Sequence, residues 1–399
     1  MNSFETFFTG DNKAFLCEAM QVYMTQKTVA NELLEDYEKN GAKNMKRDIV
    51  VIGASAGGVE TLIKLVRQLP ADFPASLFIV LHIPADSPSL LAQILDRSSQ
   101  LTVVQPTDHT PIATRYIYVA PPDHHMLLEK DEIRIIRGPK ENRHRPAIDP
   151  LFRSAALAYG PRVIGVILTG ALDDGTAGLL TIKHKQGLAI VQDPKDALYP
   201  SMPQSALSYV QVDHSSSIAE MGQLLINLVE EQVQVEEVLS SDEHLTQEVE
   251  IAKMDLHRMH QNTPGGIPSA FSCPECGGVL WELQEDALVH YRCRIGHAFS
   301  PESIQAAQAE KIEEALWTAL KTLQEKASLT RNIQQQAQNR NQYHLSSTLR
   351  ERIEEIEKNA DILSSVLQNG VISAMIYESQ DTPHLQLHID QSSRENAQA

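Results

Sequence analysis

The sequence predicts an α/β fold: a doubly wound, mostly parallel sheet with helices on both faces, followed by a small cysteine-bearing module and long α-helices. Three observations predict it. Short continuous apolar runs alternate with helix-spaced segments from residue 47 to residue 228, as buried parallel strands and their crossover helices do. Three of the four cysteines then crowd into residues 269–300. Beyond them, apolar residues recur at alternating steps of four and three on otherwise polar segments.

Taken in order, residues 1–46 read as a helical or irregular leader. Leu16, Met20, Tyr23 and Met24 have helical spacing, as do Val29, Leu33 and Leu34, until Gly41 and Asn44 break the pattern. Met45 stands directly before the first strong strand and is a candidate alternative start, which leaves translation of residues 1–44 open. Within 47–228, strands are expected at 48–53, 77–82, 101–104, 116–119, 163–168 and 188–191, and helices at 59–69, 89–95, 152–158, 177–185 and 217–228. Residues 126–128 and 133–136, split by charged residues, read as a hairpin.

Residues 229–268 are rich in Glu, Gln and Asp, with Leu and Ile too sparse to mark a core, and predict an acidic helical linker. Residues 269–300 form the compact cysteine module. In 301–370, Leu316, Leu320, Leu323 and Ala327 make one narrow apolar seam, and Leu349, Ile353, Ile356, Ala360, Leu363 and Leu367 make another. Such seams suit an antiparallel hairpin or an intermolecular coiled coil, so self-association through these helices is one expected partnership. The polar tail, 371–399, lacks the apolar content of a core.

Composition narrows the function classes. The 399 residues carry 52 Asp and Glu against 34 Lys and Arg, a formal net charge of −18. That balance argues against a nucleic-acid partner held by non-specific phosphate contacts. No apolar run approaches the roughly 18–20 residues of a spanning helix, so no membrane insertion is expected. The N-terminus has no basic stretch followed by an apolar one, and four cysteines make no disulfide framework. A cytoplasmic protein is expected. The lone Cys17 reads as a small apolar residue.

Three segments at strand ends carry candidate chemistry. The first is Gly53-Ala54-Ser55-Ala56-Gly57-Gly58. A dinucleotide-binding turn would need glycine where Ser55 stands, and no acidic residue for a ribose closes the next strand near Leu81. The same letters fit G-x-S-x-G, in which small neighbours allow a tight turn that presents a serine hydroxyl. A plain glycine- and serine-rich turn stays equally open. The second is His82, placed to exchange a proton with Ser55, or merely to end a strand. The third is the loop from Thr169 to Gly175, where Asp174 could orient an imidazole and main-chain amides could meet an oxyanion, or where Asp173 or Asp174 simply caps a helix. What favours chemistry is coincidence: serine, histidine and aspartate each follow a strand whose carboxyl end one doubly wound sheet would align.

The chain from residue 48 to about 228 resembles the catalytic domain of the chemotaxis protein-glutamate methylesterases. The matching stretches are Val50-Val51-Ile52-Gly53-Ala54-Ser55-Ala56-Gly57-Gly58, Val80-Leu81-His82-Ile83-Pro84, Tyr118-Val119-Ala120-Pro121-Pro122-Asp123-His124-His125, Arg145-Pro146-Ala147-Ile148-Asp149-Pro150-Leu151-Phe152 and Gly165-Val166-Ile167-Leu168-Thr169-Gly170. The resemblance implies Ser55 as nucleophile, His82 as general base and acid, and Asp174 as third member of the triad. It implies hydrolysis of glutamyl methyl esters on a methyl-accepting chemoreceptor, with no cofactor for catalysis. Glutamine deamidation on the same receptors is the alternative, and a non-catalytic signalling scaffold the more distant one. The family commonly has methionine-glycine where this chain has Ala171-Leu172, yet the backbone N–H of Ala171, with that of Ala56, remains the expected oxyanion donor. Met202-Pro203 matches a segment the family places near the site, which makes Met202 a substrate-docking candidate. The usual family members also carry an N-terminal phospho-acceptor domain. Only 47 residues precede the first expected strand here, so control is expected to pass through residues 229–399.

Two further features stand apart. The basic run Arg137, Lys140, Arg143, His144 and Arg145 is unusual in an acidic chain; Arg143 and Arg145 in particular are candidates to dock acid-rich receptor helices, against a reading of scattered surface pairs. The pattern Cys273-x2-Cys276-x16-Cys293-x3-His297 predicts a closed Cys3His site for a structural Zn2+. Reduced buried cysteines, or His290 as a different fourth ligand, are the competing readings.

Overall fold

The structure, a computed structural model, describes residues 45–233, 243–253 and 266–368. The leader up to residue 44, with Cys17, most of the expected linker and the tail lie outside the described residues.

The central sheet has seven strands, numbered here along the chain: β1 (Ile49–Ala54), β2 (Ser76–Leu81), β3 (Thr102–Val104), β4 (Tyr116–Val119), β5 (Val163–Ile167), β6 (Leu188–Gln192) and β7 (His214–Ser216). Every pairing is parallel, and the spatial order is β7-β6-β5-β1-β2-β4-β3. Strands β1, β2 and β5 are buried at every residue, as apolar, largely β-branched runs must be when both faces are covered.

Alternate side chains of β1 serve the two faces. Val50, Ile52 and Ala54 pack with helices Gly58–Val66, Leu91–Asp96 and Ile218–Leu228, while Ile49 and Val51 pack with Ile148–Tyr159, Thr176–His184 and Ser201–Tyr209. From β1 the chain first winds outward through β2, β3 and β4, then crosses back to β5 on the other side. The crevice at the carboxyl ends of β1 and β5 is therefore a topological switch point, where loops leave toward opposite faces and a ligand has room. The hairpin expected near 126–136 is present as His125–Glu129 paired with Glu132–Ile136, extended by Thr110–Pro111.

One segment corrects the sequence reading. Within the expected acidic linker, helix Glu243–Ala252 buries Leu245, Val249 and Ala252 against Leu127. Few apolar residues suffice because their spacing puts them on a single stripe. The cysteine region is a four-stranded antiparallel sheet, Ile267–Ser272, Val279–Glu285, Leu288–Cys293 and Ala298–Phe299, and belongs to the same compact body as the α/β sheet.

A second compact body begins at Ile304. It holds most of the long helix Pro301–Asn339 and all of Tyr343–Gln368, with Asn341 at φ 57° in the connection. The helices form a hairpin: Leu320, Ala327, Ala337, Ile353 and Ile356 are buried along its seam, Arg331 pairs with Glu357, and Gln334 Nε2 donates to Ser346 O at 3.4 Å. No helix among the described residues is long and apolar enough to cross a membrane.

Candidate active site

Ser55 follows β1 in a turn that only small residues permit. Its N–H donates to Thr169 O at 3.0 Å, its carbonyl accepts from Gly58 N at 2.9 Å, and Gly57 lies at φ 73°, the left-handed region that favours glycine. Gly170 is needed for a different reason. A Cβ there would fall 2.0 Å from Met202 Sδ and 2.9 Å from Ser55 Cβ. His82 follows β2, with its N–H bonded to Ala54 O at 3.2 Å. Asp174 lies in the loop after β5, anchored because Ile148 N–H donates to its Oδ2 at 2.7 Å.

These three side chains, far apart in sequence, form one series. His82 Nδ1 is 3.1 Å from Ser55 Oγ, and His82 Nε2 is 2.7 Å from Asp174 Oδ2. The His82 and Asp174 side chains are 5% and 2% exposed. The assignment consistent with this is an Nε2–H donating to the carboxylate and an Nδ1 lone pair facing the serine hydroxyl, the reverse of the nitrogen roles in the chymotrypsin triad. Burial pushes the Asp174 acid up, but hydrogen bonds from His82, Ile148 N–H and Asn142 outweigh it and hold the group well below the usual carboxylate range. The series can therefore take a proton from Ser55 and stabilise the imidazolium that forms.

Sequence reasoning did not single out Asn142 or Asp149, and placed His144 only in the basic run. Asn142 Nδ2 donates to Asp174 Oδ1 at 2.9 Å and to Asp149 Oδ2 at 3.0 Å. Asp149 is the counterpart of Asp174: burial, then the Asp174 charge, raise its acid well above the ordinary value. His144 stacks on His82 with ring centroids 3.6 Å apart and planes 10° apart. Burial, then the neighbouring His82, push the His144 pKa down to about 3, so a neutral ring covers the His82 face. A polar residue two positions from a histidine in a short loop gives no periodic signal, which is why only the geometry brings these out.

The expected oxyanion donors lie in the same loops. Among the described residues no backbone hydrogen bond uses the N–H of Ala56 or of Ala171, and Thr169 Oγ1 donates to Ala56 O at 3.1 Å. Leu172, next in line, is held at φ 62°. Met202 corrects an expectation: it is fully buried, its sulfur against Gly170, so it backs the serine loop and offers no docking surface. The basic run is likewise engaged. Arg145 Nε donates to Asp123 at 2.9 Å, Arg137 Nε to the same carboxylate at 2.7 Å, and Lys140 Nζ to Glu275 at 3.1 Å. Arg143 is half-buried and is likewise not free of partners. Leu198 and Tyr199 are exposed apolar residues, and the Leu198 side chain lies over Gly57.

Cys273, Cys276, Cys293 and His297 bring one ligand atom each to within 4.8 Å of one another. Zinc–sulfur bonds of about 2.3 Å and zinc–nitrogen bonds of about 2.0 Å require tetrahedron edges of about 3.8 Å between sulfurs and about 3.5 Å from sulfur to nitrogen. The observed separations are 3.7 Å for Cys276–Cys293, 3.7 Å for Cys273–His297 and 3.5 Å for Cys293–His297. Glycine at φ 73° (Gly277) and φ 103° (Gly296) closes the two turns that present these atoms. His290 stands outside the cluster, half-buried, and lines a polar cavity with Asn142, Asp173 and Arg292.

Residues 50–225 match the family model described as CheB methylesterase. A putative protein-glutamate methylesterase/protein-glutamine glutaminase of Leptospira interrogans is 39% identical over 185 residues, 46% of this chain and 96% of that protein. A protein-glutamate methylesterase/protein-glutamine glutaminase of Hydrogenovibrio crunogenus is 29% identical over 220 residues, 54% of this chain and 57% of that protein. The crystal structure of the Thermotoga maritima CheB methylesterase catalytic domain aligns over 46% of this chain and 98% of its own, at 33% identity and a TM-score of 0.44.

Proposed function

The chain belongs to the CheB methylesterase family, and on that premise we propose that it hydrolyses glutamyl methyl esters of a methyl-accepting chemoreceptor to glutamate and methanol. The observation that carries this reading is the series Ser55 Oγ–His82 Nδ1 at 3.1 Å and His82 Nε2–Asp174 Oδ2 at 2.7 Å, buried at a switch point of the sheet.

The Ser55 oxygen attacks the ester carbonyl as His82 Nδ1 takes its proton, and Asp174 stabilises the resulting imidazolium. The Ala56 and Ala171 amides hydrogen-bond the tetrahedral oxyanion. Collapse breaks the bond to the methoxy oxygen, which leaves as methanol with the proton from His82. Water, deprotonated by the same nitrogen, then cleaves the acyl-enzyme to glutamate and free Ser55. Both relatives above are also named glutaminases, and the same steps with ammonia as leaving group deamidate a glutamine. Either reaction leaves a new negative charge on a receptor helix, the event that alters signalling. Such a receptor presents its glutamates to the cytoplasm, where this enzyme acts.

No step needs a metal. Cys273, Cys276, Cys293 and His297 supply four protein ligands with no open position, the donor set of a structural Zn2+. The test is methanol release from a methylated receptor signalling domain. The intact protein is expected to release it, and Ser55→Ala to lower the rate by at least about 10⁴-fold with an unchanged melting temperature. Equal release by both would remove Ser55 as nucleophile.

A further inference from the structure

Residues 141–144 make a tight turn: Glu141 N–H donates to His144 O at 3.2 Å and His144 N–H to Glu141 O at 2.9 Å. Its central residues, Asn142 and Arg143, have φ of 48° and 74°, the arrangement of a primed turn. One side of this turn faces the triad, with His144 stacked on His82 and Asn142 Nδ2 bonded to Asp174. The other side is held by the cysteine module.

That grip begins at a metal-ligand position and runs six residues along the chain. Directly after His297, Ala298 O accepts the Asn142 N–H at 2.8 Å, and Ala298 N–H donates to Lys140 O at 3.3 Å. Ser300 N–H donates to Asn142 Oδ1 at 3.0 Å, and Ser303 Oγ to the same oxygen at 3.2 Å. Ser300 Oγ also donates to Asp173 Oδ1 at 2.8 Å, beside the triad carboxylate. On the flank, Arg292, next to Cys293, bonds to Gly296 O at 2.8 Å and lies 3.5 Å from Glu141. The Asn142 amide is thus fully used. Its two N–H groups hold the buried carboxylates, and its oxygen is pinned by two serines just beyond the last zinc ligand.

We propose that the Cys3His module is a positioning device for the triad: bound zinc fixes residues 292–303, which clamp the 141–144 turn, and the turn aims Asp174 and the His82 ring. The proposal deepens the esterase reading and rests on it. Asn142, Ser300 and Ser303 are positioning residues, since they reach the reacting atoms only through Asp174 and His82. A metal held by none of the triad residues thereby sets the efficiency of a reaction in which it takes no part.

The experiment uses the full chain with its zinc content measured, and a fluorophosphonate that phosphonylates Ser55. In that step the serine oxygen bonds to phosphorus, fluoride leaves and His82 takes the proton. Two quantities are read: the limiting inactivation rate against pH, separated from the concentration dependence of binding, and the downfield proton resonance of the His82–Asp174 hydrogen bond. Removing zinc with a chelator is expected to slow phosphonylation by about tenfold or more, reversibly on returning zinc, with probe binding unchanged. The Ser300→Ala/Ser303→Ala variant keeps all four ligands; about a threefold to tenfold loss and a displaced resonance are expected. Zinc-free protein of unchanged circular dichroism that reacts at full rate overturns the proposal. So does a serine-pair variant with native metal content, rate and resonance. Intact protein that leaves Ser55 unlabelled, or a His82→Ala variant that labels equally fast, removes the triad reading itself and this proposal with it.

Discussion

The carboxyl edge of the sheet and the polar seam beside the cysteine module lie in one compact body, yet they are held in place by opposite means. At the sheet edge, Ser55 and His82 directly follow strands whose every residue is buried, and Asp174 lies in the loop after a third such strand, so apolar packing sets the frame and a few hydrogen bonds complete the aim. In the seam, Arg292 Nη2 bonds to Glu248 at 2.6 Å, Arg153 bonds to Glu141, and Arg153 lies 3.5 Å from Glu248. All four are buried, two cations against two anions. There, charge sets position, and removing one partner strands another in a low dielectric. The two regions divide the labour: burial places the strand-end residues, while paired charge holds the seam behind the 141–144 turn.

The largest effect that tests this division is on Arg292. Arg292→Ala removes both guanidinium bonds to Glu248 and the contact to Glu141, leaving two buried carboxylates to share Arg153. Denaturant unfolding at fixed zinc is expected to show a loss of about 3–5 kcal/mol. Replacing Arg292 and Glu248 together by Met and Leu is expected to cost far less, because no charge is then left unpaired. A single substitution as mild as the pair would mean that the seam is held by packing after all, and the contrast with the sheet edge would disappear.

A smaller effect lies where the two regions touch. Burial, then Glu302 and Asp174, raise the Asp173 acid from 3.8 to about 8, while Asp174 beside it is depressed. Between pH 4 and 8 the folded protein keeps a proton on Asp173 that the unfolded chain releases, so this residue makes stability fall as pH rises through that window. Asp174 acts in the opposite sense, and its contribution is lost only as pH falls below the ordinary carboxylate value. Melting temperatures are expected to decline from pH 5 to pH 8.5, and Asp173→Asn, which keeps an acceptor for Ser300, to flatten the decline. An unchanged slope would place the pH sensitivity elsewhere.

The same contrast decides what was legible in the sequence. Strands such as 48–53 and 163–168 announce themselves as continuous apolar runs, and a residue directly after such a run, as Ser55 and His82 are, inherits its position from the sheet. The cysteine spacing was equally visible, because four ligands around one ion constrain local turns. Asn142, Glu248 and Ser303 were not legible. Their partners lie up to about 160 residues away and are chosen by hydrogen bonding, which leaves no period in the chain. Met202 was misplaced for a related reason: a motif can show proximity to the serine, but not that the sulfur points inward against Gly170.

The smallest expected effect concerns backbone strain at the sheet edge. Leu172 is held at φ 62° in the loop that carries Ala171 and Asp174. A side chain in the left-handed region costs about 1–2 kcal/mol, and glycine gives back about 0.5–1 kcal/mol through the greater freedom of its unfolded chain. Leu172→Gly is therefore expected to raise stability by about 0.5–1 kcal/mol, read as a small rise in melting temperature. A fall instead would show that the half-buried leucine side chain contributes more by covering the loop than its backbone loses in strain. The loop would then owe its shape to the packing that governs the strands, and the division drawn between burial and polar bracing would move outward from the sheet to include it.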